Sequence, residues 1–222
     1  MKRNLMSLVI ASALLAAAPG FAYAQASGNS APVTNMQGSS PSQLVLDNSQ
    51  RVLSTLDKRR AEFTANRAAL REFITTEFNS MFDREYAARQ VLGRHGRGAA
   101  EADIKLFADA LADNLMQRYG SSLLDFNTRL QVRLKSETPL PRGIGVKVSS
   151  EYLRQGGEPI PVDYLMRKTG TSWKVFDVMV EGVSYVQTFR QQFDAELSRK
   201  SIRQVATELR QGQINPDADT QQ

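Results

Sequence analysis

Cysteine is absent from the 222 residues, and histidine and tryptophan occur once each. Without thiols there is no disulfide framework, no thiolate metal site, no cysteine nucleophile and no lipid anchor on an N-terminal cysteine. A Ser-His-Asp triad or a histidine-based metal site would rest on His95 alone. Charge of either sign is scarce in excess: 28 Lys and Arg face 23 Asp and Glu. That mild balance does not supply the clustered basic surface of a nucleic-acid reader. Long apolar runs are also missing, with one exception at the start.

That exception has the pattern of a secretory leader. Lys2 and Arg3 precede an apolar stretch from Leu5 to Ala18, which Pro19 and Gly20 break. Ala22-Tyr23-Ala24 has the small-x-small spacing of a cleavage site, so residues 1–24 are expected to be removed and the mature chain to start at Gln25. The stretch is too short and alanine-rich for a membrane anchor, and nothing later is apolar enough to span a bilayer. Removing Lys2 and Arg3 lowers the formal net charge from +5 to +3. A soluble, secreted single domain stabilised by its own core is the expectation.

Residues 25–40 are small and polar and predict a flexible linker. Residues 41–211 carry the patterned domain, and the tail 212–222 is polar and expected to be loose. Ser40-Pro41-Ser42-Gln43 combines an N-cap serine, proline at the first helical position and glutamine three residues on, a capping-box pattern. Val45, Val52 and Leu56 then share one helical face. A second helix is predicted from Asn66 with Leu70, Phe73, Ile74, Phe78, Met81 and Phe82 at helical spacing, and a short third follows Asp83 and stops at Gly93. Arg94 to Gly98 is expected to be a turn that exposes His95. A long helix from Glu101 carries Ile104, Phe107, Leu111, Leu115 and Tyr119.

The period then changes from 3.6 to two. Phe126 to Lys135 alternates with Leu130, Val132 and Leu134 on the apolar side, and Ile144, Val146 and Val148 alternate likewise. Ile160, Val162, Tyr164 and Met166 follow the Gly156-Gly157 turn, and a fourth strand is predicted from Ser172 to Val180. Short connections between successive strands imply an antiparallel sheet. Ser184 with Gln187 starts another helix, through Leu197, and Ile202, Val205 and Leu209 mark the last. Helices, four strands, then helices is the order of an α+β domain with about six helices.

Carboxylates invite an acid–base reading at Asp163, Asp177 and Glu181. Asp177 interrupts the apolar run Val175-Phe176-Asp177-Val178, and its expected role is a hydrogen-bonded structural carboxylate, paired with Arg190 or backbone amides. The run Lys58-Arg59-Arg60 reads as a solvated helix face. Aromatic and methionine residues at helical spacing suit either an ordinary core or a cavity for an apolar ligand, and periodicity alone does not separate the two.

The block Trp173 to Ser184 (WKVFDVMVEGVS) resembles the hallmark of the MlaC family of periplasmic phospholipid-binding proteins, also called toluene-tolerance proteins. The resemblance extends through Pro159 to Tyr164, through Arg190 and Phe193, through Ala87 to Arg94, and through the Phe107, Leu111, Leu115, Tyr119, Gly120 series. It departs locally where His95-Gly96 and Ala99-Ala100 stand in place of aromatics and a Thr-Pro helix start, and at Arg199-Lys200-Ser201, where a glycine-containing turn is usual. The resemblance implies a twisted four-stranded antiparallel sheet wrapped by helices, a cone of the NTF2-like or cystatin-like kind with an internal apolar pocket. It implies a monomeric carrier of phospholipid between outer and inner membranes that maintains outer-membrane lipid asymmetry, with no cofactor and no catalytic residue. Implied partners are an outer-membrane lipoprotein–porin complex and an inner-membrane ABC transporter with a membrane-anchored periplasmic subunit.

On that reading the pocket lining is expected from Phe78, Met81, Phe82, Val91, Phe107, Leu111 and Leu115 on the helices. Val132, Val148, Val162, Tyr164, Met166, Val178 and Val180 are expected to supply the strand side. The alternatives are an enzyme on a related cone-shaped fold acting on a hydrophobic substrate, and an envelope interaction module with a closed core.

Overall fold

Ser40 opens the first helix of the computed structural model, which describes residues 40–119, 124, 130–154 and 156–216. The expected leader, nearly all of the linker, the strand start at Phe126 and the end of the tail lie outside the described residues. Ser40 Oγ accepts from the Gln43 amide at 3.2 Å, and Pro41 occupies the first turn of α1 (Pro41–Lys58). The Gln43 side chain donates to Asp47 rather than back to the cap. The charged run does not continue the helix. Arg59 departs from helical geometry and separates α1 from a short α2 (Arg60–Ala65), its guanidinium 2.6 Å from Glu62 and over the ring of Phe63. This α2 is a helix that the apolar spacing alone does not announce.

Asn66 accepts from the amides of Ala68 and Ala69 and starts α3 (Arg67–Met81). Phe82 then turns extended and bridges Val175. Asp83 caps α4 (Arg84–Leu92) through the Tyr86 amide while its other oxygen receives Arg167 at 2.6 Å, so the helix start is tied to the sheet. A 3-10 turn over Gly93–Gly96 leads to α5 (Glu101–Tyr119).

The sheet comprises β1 (Gln131–Pro139), β2 (Val146–Leu153), β3 (Ile160–Thr169), β4 (Ser172–Val180) and β5 (Val183–Ser184), all antiparallel and in sequence order. The fifth strand is two residues long and enters through a tight turn with positive φ at Glu181 and Gly182, a geometry that fits the twist of a hairpin. Ile144, expected in a strand, instead sits half-exposed in the β1–β2 connection. Ser184 Oγ accepts from the Gln187 amide at 3.0 Å to start α6 (Tyr185–Leu197). A complete capping box of Ser201 and Gln204 starts α7 (Ile202–Arg210). Beyond α7 the chain stays against the domain: Ile214 packs on the helical core and Pro216 is buried.

Two bulges set which residues face which side. Opposite Leu165 and Met166 stand Asp177 and Val175, so Phe176 is an extra residue in β4. Opposite Ser150 and Ser149 stand Leu134 and Ser136, so Lys135 is an extra residue in β1. A bulge reverses the alternation beyond it. Trp173 and Val175 before the β4 bulge, and Val178 and Val180 after it, therefore all join the cluster shared with α1 and α3. Phe176 meets Tyr86 of α4 edge-on, at 5.2 Å between ring centres.

Candidate functional site

The apolar interior divides into three clusters rather than one. The first lies between the sheet and the pair α1 and α3. Val148, Val162, Tyr164, Met166 and Val175 meet Val45 of α1 and Met81 of α3, with Phe82, Leu134, Tyr152, Val178 and Val180 half-buried around them. The second is all-helical, from α4 to α7, with Phe107 set edge-on against Phe193 at 5.2 Å. The third joins α1, α2 and α3 through Leu56, Phe63, Leu70 and Ile74.

Of the residues expected to line a pocket, Met81, Phe82, Val148, Val162, Tyr164, Met166, Val178 and Val180 come together at the sheet seam. Phe78 adjoins them by stacking on Phe82 at 4.1 Å. Val132 is half-buried on β1, opposite Tyr152. Val91, Phe107, Leu111 and Leu115 do not join this group; they belong to the all-helical cluster. A helical apolar stripe shows that a face is buried but not against what, and this is why the two sets look alike in sequence.

Among the described residues, polar contacts at two places hold α1 on the sheet. At its N-terminus the Ser42 hydroxyl donates to Glu137 at 2.6 Å and the Ser42 amide donates to the same oxygen at 3.3 Å. The Lys135 bulge is what turns Glu137 to this face. Further along, the Tyr152 hydroxyl donates to Ser49 Oγ at 3.1 Å and lies 2.8 Å from the Tyr164 hydroxyl. Ser49 and Tyr164 are buried, whereas Tyr152 keeps part of its surface in solvent. Burial pushes the Tyr164 hydroxyl well above its usual acidity range, so it stays protonated and able to donate. The expectations named Tyr164 but missed Ser49 and Tyr152. Their sequence signal was a serine four residues after Val45 on an apolar helix face and a tyrosine in the inward register of β2.

Arg51 pairs with Glu77 at 2.7 Å, and Asn48 donates to the same carboxylate at 3.0 Å, so α1 is bound to α3 as well. The seam itself is closed: Val45, Val148, Met166 and Val175 have no exposed surface. A shallow depression of about 360 Å³ lies elsewhere, on Ala68, Arg71, Glu72, Thr75 and Thr76. All five of these described residues belong to α3.

The candidate acid–base groups are dispersed. Asp163 lies on the opposite face of β3 from Tyr164, 3.5 Å from Lys147. Glu181 is exposed in the β4–β5 turn. Asp177 is the structural carboxylate expected: it accepts from the Val186 backbone amide at 3.1 Å and also from Ser184 Oγ at 2.6 Å, while Arg190 turns to the Gln90 carbonyl. His95 is not loose: its side chain is 18 % exposed and its Nε2 lies 2.9 Å from Asp194, which also pairs with Arg94. Among the described residues no group of three His, Cys, Asp or Glu is arranged to hold a metal. What the seam offers is apolar wall with hydroxyl donors, the chemistry of a site for an apolar ligand bearing acceptors.

Comparison with known proteins finds relatives along most of the chain. The toluene tolerance protein ttg2D of Pseudomonas putida is 23% identical over 171 residues, covering 76% of this chain and 78% of that protein. The intermembrane phospholipid transport system binding protein MlaC of Haemophilus influenzae is 20% identical over 186 residues, covering 82% and 86%. A solved structure of a phospholipid-binding protein from Ralstonia solanacearum, in complex with a phospholipid, superposes with a TM-score of 0.69 at 21% identity. That likeness covers 79% of this chain and 98% of the other, and establishes the fold. The model of the MlaC protein family matches residues 46–211, which takes in α1 from residue 46 onward, α2 to α7 and the whole sheet, and the chain accordingly belongs to the MlaC family.

Proposed function

We propose that this protein is a periplasmic phospholipid carrier, exported by its leader with cleavage after Ala24, that holds acyl chains between the sheet and the α1–α3 pair. The observation that carries this reading is the seam: one continuous apolar layer between a sheet face and two helices, fastened by only a few polar contacts. Membership of the family supports it.

The physical need is large. Two acyl chains contain roughly thirty methylenes at about 0.8 kcal/mol each, so a free lipid in water lies more than about 20 kcal/mol above one in a bilayer. A soluble shell that admits the tails removes most of that barrier. Both membranes offer similar burial, so direction comes from the partners: an outer-membrane lipoprotein–porin complex on one side and an inner-membrane ABC transporter with its periplasmic subunit on the other. The carrier itself makes and breaks no covalent bond.

The mature protein purified from its host, extracted with solvent and examined by mass spectrometry, is expected to release phospholipid in stoichiometric amount. A glutamate in place of half-buried Val178 is expected to lower that amount while circular dichroism stays native. Lipid-free protein that also fails to accept phospholipid from vesicles would overturn the proposal.

A further inference from the structure

The three hydroxyls at the seam do more than join α1 to the sheet. Resting on the carrier reading, we infer that Ser49, Tyr152 and Tyr164 form a subsite for the ester carbonyls of the bound lipid and so distinguish acyl-ester lipids from ether lipids.

Placement is the first argument. The chain of hydroxyls runs inward from Tyr152, which is half-buried, to Ser49 and Tyr164, which are buried. A glycerolipid has the same sequence of parts: a wet headgroup, then ester carbonyls, then tails. With carbonyls at the hydroxyls, the tails lie against Val148, Met166, Val175 and Met81.

Hydrogen-bond accounting is the second. The Ser49–Tyr152 bond crosses from helix to sheet, so any ligand that lodges between them breaks it. The freed hydroxyls then sit in an apolar layer, where an unmade hydrogen bond is costly. Ester carbonyls accept and do not donate, and hydroxyls supply what they lack. Neighbouring Ser150 does not compete, because its hydroxyl already donates to the Val162 carbonyl at 2.9 Å. An ether-linked lipid fills the same apolar space but leaves these donors without a carbonyl acceptor.

The test is competition between diacyl phosphatidylglycerol and its dialkyl ether counterpart of equal chain length, supplied in mixed vesicles, with bound lipid identified by mass spectrometry. A preference for the ester on the order of tenfold is expected, the value of one or two hydrogen bonds. Tyr152→Phe and Ser49→Ala should each shrink that preference several-fold while ether binding holds, and Tyr164→Phe provides the same reading with the buried ring retained. Equal binding of ester and ether by the unaltered protein overturns the subsite alone, as does a preference that survives all three substitutions. Failure of both lipids to bind overturns the carrier reading and the subsite with it.

Discussion

Asp177 offers a prediction whose sign depends on charge and hydrogen bonding separately. The residue is 7 % exposed, and its carboxylate accepts from Ser184 Oγ and from the Val186 amide and so fastens the first turn of α6 to β4. Asp177→Ala leaves the buried Val186 amide without its acceptor, at about 1–3 kcal/mol, and removes a second bond worth about 1 kcal/mol. A loss of roughly 2–4 kcal/mol is expected. Asp177→Asn keeps one oxygen for the Val186 amide and points its amide group at Ser184 Oγ, a hydroxyl able to accept. Burial is the largest influence on the acid and raises its pKa above the usual aspartate value of 3.8, with the hydrogen bonds opposing it. The fold therefore favours the neutral form, and the neutral amide should cost less than about 1 kcal/mol.

The pH dependence follows from the same cause. Between 3.8 and the raised folded-state value the native chain binds more protons at this site than the unfolded chain, so its contribution to stability falls as pH rises through that window. Comparing each variant with the unaltered protein cancels the other titrating groups. Urea unfolding at about pH 4 and about pH 7 should show the Asn variant more penalised at the lower pH. An Asn variant as damaged as the Ala variant at neutral pH, or a penalty that grows with pH, would refute the reasoning.

Gly145→Ala places a Cβ 1.9 Å from the Met166 carbonyl oxygen and 2.9 Å from its carbon, backbone that no side-chain rotation relieves; a stability loss of about 3 kcal/mol or more is expected in thermal melts. Gly143→Ala nearby meets nothing within 4 Å and carries only its positive φ, so about 1 kcal/mol should be lost there. Phe107→Ala should cost about 3–5 kcal/mol by opening a cavity beside Phe193, yet leave lipid content per folded molecule unchanged, because its cluster is not the seam. Reduced lipid in that variant would show that the two clusters act as one. Asp194 is held below its usual value by the hydrogen bond with His95 first and by Arg94 as well. Its contribution is present above 3.8 and disappears as pH falls through the lower folded value, so Asp194→Asn should flatten stability in that acidic range.

Local chemistry made most elements legible from sequence. Ser40, Asp83 and Ser184 announced three helix starts because a short oxygen-bearing side chain before an apolar stripe serves orphan amides, and all three do so here. Val162, Tyr164 and Met166 announced β3 by strict alternation, and all three are buried on one face. The bulges at Lys135 and Phe176 were not legible, since an extra residue leaves composition and local spacing unchanged and shows only in the partner strand's register. For the same reason Glu137 as the anchor of α1 had no signal. The partition of Phe107 from Phe78 and Met81 was equally hidden: it depends on which helix packs where, not on how residues repeat along each.

On the proposed carrier reading, those unannounced features bear on how the seam would open. The all-helical cluster buries Phe107, Phe193, Leu92, Ile104 and Leu209 almost completely and shares none of its buried residues with the seam. On that reading, separation of α1 and α3 from the sheet would leave that second core its own buried contacts while one interface opens. What opposes separation is apolar contact, which acyl chains replace nearly in kind, together with the two Ser42–Glu137 bonds and the Ser49–Tyr152 bond of α1 and the bond from Lys174 to the Ser80 carbonyl of α3. At about 1 kcal/mol per hydrogen bond, the burial of about five methylenes offsets those four bonds. Tail length beyond that adds affinity for any long-chain lipid alike. Discrimination among lipids consequently cannot come from the apolar wall. It falls to polar groups beside it, and there the half-buried hydroxyl of Tyr152 leads inward to those of Ser49 and Tyr164.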